Sequence, residues 1–281
     1  MFVKSQVSIF CDPGSEIRQE DGYFIFPPFY GVLDGVSGIY HPDTGPQVFK
    51  GQSGAEVVVK MICRTFFNAL PEEDLESLVK RANQSVRGFA ATNGIPFTAD
   101  FLPASAFVVV KVGGQSIEIL QGGDCLAIWE TLNGTAGATP NQMYAYEKAD
   151  VTIVARLMEK HHGSRAKMWE EYLPIFAARK MLHIIQQGGM ALINGQENMS
   201  LCWQKFILPR DQVSRLILFS DGFVMQDATE NEQALAEQVF KLYHAKGLSG
   251  IMADTRLAEE LKKNLSHVDH REATCLAIEI Y

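Results

Sequence analysis

Apolar residues recur every three or four positions in several segments of the chain, and this spacing predicts amphipathic helices. In residues 52–69 the pattern includes Val58, Ile62 and Phe66, and a similar stripe runs through residues 73–92. Later parts of the chain repeat the helical pattern. The predicted helices cover residues 52–69, 73–92, 150–187, 231–246 and 251–266.

Short apolar runs bounded by turn residues predict strands between these helices. They cover residues 6–11, 23–34, 105–112, 116–120, 125–131, 143–146, 203–208, 215–220 and 273–281. Glycine pairs and an Asn-Gly step separate the central runs, as is typical of hairpins. Because strands cluster without β-α-β alternation, we expect an α+β fold with mainly antiparallel sheet. No repeat or Pro-rich linker divides the sequence, so residues 1–281 are interpreted as one domain.

Charge and cysteine spacing narrow the class of protein. The net charge is −8 and no basic stripe is present, which argues against nucleic-acid binding. No apolar run approaches the ~20 residues that span a bilayer, and the first residues lack a signal-peptide pattern. The five cysteines form no CxxC pair, which favours free thiols. We expect a cytoplasmic monomer with neither a membrane nor a nucleic-acid partner.

Two Asp-Gly pairs are the most informative local feature. Asp34-Gly35 and Asp221-Gly222 each follow an apolar run with strand character. An Asp at the end of a buried strand stands on a rigid scaffold, and the following Gly lets the backbone turn and approach an ion. Two such carboxylates suit a hard divalent cation, which prefers oxygen ligands. The alternative is that both pairs are ordinary turns, in which Asp and Gly are common.

Other acidic residues also flank predicted strands, namely Glu20, Asp21, Asp124 and Asp269. Since the strands belong to a mainly antiparallel sheet, these side chains could converge on one rim. Converging carboxylates repel one another and would have raised pKa values unless a cation lies between them. No cluster of Lys or Arg accompanies them in the sequence. A bound metal is therefore the simplest explanation of the set.

Five segments occur in an order that resembles a known family. They are Arg18–Ile25, Gly31–Gly38, Gly123–Ala127, Leu216–Gly222 and Ala273–Ile278. Together they resemble the ordered motifs of the metal-dependent (type 2C, PPM) Ser/Thr protein phosphatases. The resemblance spans nearly the whole chain. It implies a β-sandwich of two antiparallel sheets with helices on both outer faces, in four layers ordered α-β-β-α.

The resemblance also implies an activity, the hydrolysis of phosphoserine and phosphothreonine in a phosphoprotein substrate. Two Mn²⁺ or Mg²⁺ ions would be bridged by Asp34, while the Gly35 carbonyl and Asp221 would each bind one ion. A water bridging the ions would attack phosphorus. The residues expected to hold metal-bound waters are Glu20, Asp21 and Asp124.

The last metal ligand departs from the family pattern. The family carries an Asp three residues before the final Thr, and counting back from Thr274 leads to Arg271, which cannot ligate a cation. If two residues are inserted, Asp269 becomes the ligand. Glu272 is the alternative, and both stay open here, with Asp269 favoured.

Further departures support a second interpretation. Val36 stands where many members carry a His, and Met225 replaces an acidic residue of an accessory metal site. The Arg expected to contact the substrate phosphate is Glu16, and Arg18 is the nearest substitute. The chain could therefore be a pseudophosphatase, a binding or regulatory module with a degraded metal centre. We favour the enzyme because both Asp-Gly pairs are intact.

Overall fold

Two five-stranded antiparallel sheets form the centre of the structure, which is a computed structural model of the chain. In chain order the strands are β1 (Ser5–Asp12), β2 (Gly22–Phe26), β3 (Phe29–Val36), β4 (Val48–Phe49), β5 (Gln52–Ser53), β6 (Ala104–Val112), β7 (Ser116–Gly122), β8 (Leu126–Thr131), β9 (Ala136–Ala138), β10 (Gln204–Pro209), β11 (Val213–Phe219) and β12 (Ala273–Ile280). The structure describes residues 5–15, 18–36, 48–97, 102–164, 166–175, 189–224, 231–262 and 270–281.

The order of the strands differs between the two sheets. The first sheet has the order β1-β12-β11-β8-β9, and the second has the order β10-β7-β6-β3-β2. Strands β4 and β5 form a separate hairpin. Within the described residues, neighbouring strands pair antiparallel throughout. The antiparallel sheet predicted from the sequence is therefore confirmed.

The described residues form the helices α1 (Gly54–Phe67), α2 (Leu75–Thr92), α3 (Tyr144–Lys160), α4 (166–175) and α5 (Glu232–Lys262). Helices α1 and α2 cover the outer face of the second sheet and α5 covers that of the first sheet, whereas α3 and α4 pack against each other. The element α5 consists of two helices, as predicted, which meet at Gly247, where a φ of 67° departs from helical geometry. Within the described part of the chain, no helix combines the length and apolar character needed to cross a bilayer.

Alternating side chains of the strands create three apolar layers. In β6, Val108 packs between the sheets, whereas Val109 packs against α1 and α2. In β11, Leu216 packs between the sheets and Ile217 packs beneath α5. Successive strand residues point to opposite faces, so strands with both faces covered must be apolar at nearly every position. This burial gives the four-layer α-β-β-α arrangement and confirms the predicted fold class.

Several elements differ from the sequence predictions. The single strand predicted over 23–34 is a hairpin, because Pro27 and Pro28 cannot donate ladder hydrogen bonds and the chain turns there. The strand predicted over 143–146 is wrong, since α3 begins at Tyr144. Four residues are too few for their spacing to distinguish a strand from the first turn of a helix. Strands β4, β5 and β9 were not predicted from the sequence, and a turn at residues 161–163 divides the helix predicted over 150–187 into α3 and α4.

Candidate metal centre

Three carboxylates meet at one end of the sandwich. Asp34 lies near the end of β3, Asp221 follows the end of β11, and Asp124 lies in the turn between β7 and β8. One carboxylate oxygen from each residue lies within 4.8 Å of the others. We call Asp34, Asp124 and Asp221 the three-carboxylate cluster. Gly35, the other residue of the first Asp-Gly pair, follows in β3 and pairs with Ser105.

The turn that carries Asp124 links the two sheets, since β7 belongs to one sheet and β8 to the other. Gly123 makes this passage possible with a φ of +79°, a conformation that L side chains rarely adopt. A Cβ atom at this position would also lie 2.6 Å from the Cβ atom of Ala106 in β6. The backbone at Gly123 therefore places Asp124 beside Asp34 in β3 and Asp221 directly after β11.

A hydrogen-bond network fixes the segment before β2 against the same end of the sandwich. One carboxylate oxygen of Glu272, Oε2, accepts the backbone N–H groups of Glu20 and Asp21, both at 2.7 Å. Ser220 Oγ donates to Asp21 Oδ2 at 2.6 Å and accepts the backbone N–H of Thr274 at 2.9 Å. Residues widely separated in sequence are thus held together beside the cluster.

The environment of the cluster disfavours negative charge. Burial raises the pKa of Asp34 well above its ordinary value, and four neighbouring carboxylates add to the effect: Asp21, Asp221, Asp124 and Glu272. Burial raises the pKa of Asp21 to about 8, with further contributions from Glu272 and Asp221 that outweigh the hydrogen bond from Ser220. A cation at the centre would oppose both effects. Three oxygen donors at this spacing fit a hard divalent cation such as Mn²⁺ or Mg²⁺.

One cation of the protein itself contacts the cluster. Arg271 Nη1 donates to Asp221 Oδ2 at 2.5 Å. The sequence had indicated no compensating basic group, because Arg271 lies 50 residues from Asp221 along the chain. The contact depends on the pairing of β11 with β12, which brings the end of one strand beside the start of the other.

Arg18, the candidate for contacting a substrate phosphate, forms an ion pair with Glu56. Its Nη1 atom donates to the carbonyl of Gly51 and to Glu56 Oε2, both at 3.0 Å. Glu56 belongs to the capping box at the start of α1 and also accepts the backbone N–H of Ser53. A contact between Arg18 and a substrate phosphate stays a prediction.

Of the remaining candidate residues, the structure describes Glu272. Asp269, the favoured last ligand, lies outside the described residues. Its alternative Glu272 lies beside the cluster, with one carboxylate oxygen bound to the two backbone amides. Glu16 and Met225 also lie outside the described residues.

Ser220 is a site residue that the sequence analysis missed. Its hydroxyl connects Asp21 with the start of β12, as its contacts above show. The only signal in the sequence is its place directly before Asp221 at the end of an apolar run. Nothing in that local pattern predicts a contact with Asp21, which is 199 residues away along the chain.

Solved structures of bacterial phosphatases have a similar fold. The serine/threonine phosphatase PstP/Ppp of Mycobacterium tuberculosis is 12% identical, with 98% of each chain covered and a TM-score of 0.58. The PstP catalytic domain in complex with two manganese ions is also 12% identical, with 100% of this chain and 99% of that chain covered and a TM-score of 0.57. Stp1 of Staphylococcus aureus is 16% identical, with 100% and 96% covered and a TM-score of 0.55.

These similarities confirm at the level of the fold the resemblance found in the sequence motifs. No protein-family profile matches the chain, and no curated protein matches its sequence. The chain therefore has the fold of the metal-dependent serine/threonine phosphatases over nearly its whole length.

Proposed function

We propose that this protein is a Mn²⁺- or Mg²⁺-dependent phosphatase that hydrolyses phosphoserine and phosphothreonine in proteins. The observation that carries the proposal is the three-carboxylate cluster, whose oxygens lie within 4.8 Å of one another. The cluster stands at the end of a sandwich whose solved neighbours are named as phosphatases, one of them with two manganese ions.

The residues of the cluster would hold the cation. Asp34 and Asp221 keep the ligand role expected from the motifs, and Asp124, expected to act only through water, is close enough to offer an oxygen as well. A bound divalent cation supplies an activated water near neutral pH and neutralises charge on the phosphoryl group. The rigid ends of β3 and β11 keep Asp34 and Asp221 in place before the cation and the substrate arrive.

Residues around the cluster position its polar groups. Glu272 holds the backbone amides of Glu20 and Asp21, and Ser220 fixes one oxygen of Asp21. This arrangement keeps Asp21 beside the cluster, where it can orient water, as the motif resemblance implies. Glu20 is held there through its backbone.

The proposal is tested by adding Mn²⁺ to chelator-stripped protein and measuring hydrolysis of para-nitrophenyl phosphate and of a phosphothreonine peptide. We expect Asp34→Asn and Asp221→Asn each to lower metal-dependent turnover by roughly 100-fold or more, because each removes a charged ligand. Asp211→Asn changes an exposed carboxylate in the short turn before β11 and is the matched control. Wild-type turnover in either cluster variant would contradict the proposal.

The second candidate function is a pseudophosphatase that binds a phosphorylated or acidic partner without hydrolysis. The ion pair between Arg271 and Asp221 favours it, because Arg271 already supplies a positive charge at one carboxylate of the cluster. The same titration distinguishes the two functions. A folded wild-type protein that binds the phosphopeptide but releases no phosphate at saturating Mn²⁺ would establish the pseudophosphatase.

A further inference from the structure

The guanidinium of Arg271 forms an ion pair with one carboxylate of the three-carboxylate cluster and cannot itself be a metal ligand. This guanidinium donates to Asp221 Oδ2, and a guanidinium has only N–H donors and no lone pair to offer a metal. It also stays protonated, because the guanidinium is too basic to lose its proton in a protein. One oxygen of Asp221 therefore faces a permanent positive charge.

The backbone of Arg271 is held on both sides of its Cα atom. Its N–H donates to Glu259 Oε1 at 3.3 Å, and its carbonyl accepts Arg256 Nη2 at 2.7 Å. Both partners lie on α5, where they also pair with each other, and their side chains are largely buried. Arg256 in turn contacts Asp12 at the end of β1. The position of Arg271 is thus set by the packing of α5 and β1.

The residue that follows is held as firmly. Glu272 Oε2 accepts the two backbone amides described above, and the Glu272 carbonyl packs directly on Gly222, where a Cβ atom would lie only 1.8 Å away. Arg271 therefore lies in a segment fixed by α5, by the segment before β2 and by the turn after β11. Because the backbone of Arg271 is already fixed, its contact with Asp221 has to order only the side chain.

A second divalent cation at Asp221 would lie next to this guanidinium. Two positive centres in contact with one carboxylate repel each other, and the repulsion is stronger where the surroundings exclude water. The side chain of Asp221 is 22% exposed and that of Arg271 is 46% exposed, so water screens part of this repulsion. A first cation between the three carboxylates can take its oxygen from Asp221 besides the one bound by Arg271, whereas a second cation at Asp221 would have to compete with Arg271 for Oδ2.

We propose that the cluster binds a single divalent cation and that the Arg271 guanidinium takes the place of a second one. The inference rests on the proposed function only in requiring that the cluster binds a divalent cation. A centre with a single cation would differ from that of the solved PstP catalytic domain, which is in complex with two manganese ions.

The test counts Mn²⁺ ions bound to the full chain. Calorimetric titration of chelator-stripped wild-type protein is expected to give one ion per chain, and electron paramagnetic resonance is expected to show no spin-coupled manganese pair. Arg271→Asp replaces the cation with a carboxylate and is expected to bind two ions and to give the coupled signal. Arg271→Lys keeps the charge and is expected to bind one. Arg156→Asp makes the same change of charge at an exposed position of α3 and is expected to bind one.

The outcomes separate this inference from the proposed function. Two ions in the wild-type protein would overturn the single-cation centre and leave the phosphatase proposal standing. No ion in folded wild-type protein would overturn both. An Arg271→Asp variant that is folded by circular dichroism and still binds one ion would also overturn the role given to Arg271. Because the wild-type count is decisive, a variant that fails to fold does not remove the test.

Discussion

Replacing Asp21 with Asn tests the electrostatics of the candidate metal centre without removing a member of the three-carboxylate cluster. Burial raises the pKa of Asp21 to about 8, and the charges of Glu272 and Asp221 contribute to the increase. Asn has nearly the same shape, and its side-chain oxygen can still accept the Ser220 hydroxyl. The variant therefore removes the titration of this carboxyl while keeping its packing.

The direction of the pH dependence follows from the number of protons that Asp21 binds in the folded and in the unfolded state. In the absence of metal, folded protein keeps Asp21 protonated up to about pH 8, whereas an unfolded Asp ionises near its ordinary pKa of 3.8. Folded protein thus binds more protons between these two pH values. The contribution of Asp21 to the stability of the wild-type protein is therefore fully present below pH 3.8 and is lost as the pH rises toward 8. Asn carries no such penalty, so we expect the stability advantage of Asp21→Asn to grow over this range.

The size of the stability difference between Asp21→Asn and wild type follows from the same pKa. At 1.36 kcal/mol per pH unit, holding the proton from pH 3.8 to pH 7 costs the wild-type protein roughly 4 kcal/mol. Part of Asp21 remains exposed, and water there screens its charge. We therefore expect Asp21→Asn to be about 2–4 kcal/mol more stable than wild type at pH 7, with a much smaller difference near pH 4.

The assay is urea denaturation with excess chelator at several pH values between about 3 and 8.5, for wild type and variant in parallel. Asp12→Asn is the control with the opposite sign. Burial acts to raise the pKa of Asp12, but the Gly14 amide and the Arg256 guanidinium outweigh it and lower the pKa. That variant should be less stable than wild type at pH 7 and should approach it as the pH falls below 4.

A constant difference between Asp21→Asn and wild type across this pH range would refute the reasoning. So would a variant that is less stable than wild type at pH 7. Either result would mean that the folded protein accommodates the ionised carboxylate of Asp21 without a bound cation. Electrostatic repulsion among the carboxylates would then not require a cation between them.

Two further substitutions test the packing at Gly222 and the N-terminal cap of α1. Gly222→Ala should lower the free energy of unfolding by about 2–3 kcal/mol and weaken Mn²⁺ binding, because its Cβ atom would lie 1.8 Å from the Glu272 carbonyl oxygen. Gly88→Ala, in the exposed interior of α2 with open space around it, is the matched control and should stabilise by about 1 kcal/mol. Ser53→Ala removes the side chain that accepts the Glu56 amide in the capping box of α1, and urea denaturation should show a loss of about 1 kcal/mol. Unchanged stability of Gly222→Ala or Ser53→Ala would contradict the packing or the cap described here.

The sequence alone determined the class of fold, because burial on both faces of a strand leaves a local record. Val108 and Val109 face different layers, yet both must be apolar, so a strand buried on both faces appears as a continuous apolar run. The helices appear through their apolar spacing for the same reason. The Asp-Gly pairs were also visible, since each lies directly behind such a run.

Only the tertiary structure decided how the acidic residues are arranged. Asp124 joins Asp34 and Asp221 because Gly123 carries the chain from one sheet to the other at that point. Arg271 meets Asp221 because β11 and β12 pair side by side. These contacts join residues that are 50 or more positions apart along the chain. The residues that flank each of them in the sequence do not indicate which distant residue it will contact. A local pattern reports burial and turn geometry, whereas the charge balance of the centre depends on which strand ends the fold brings together.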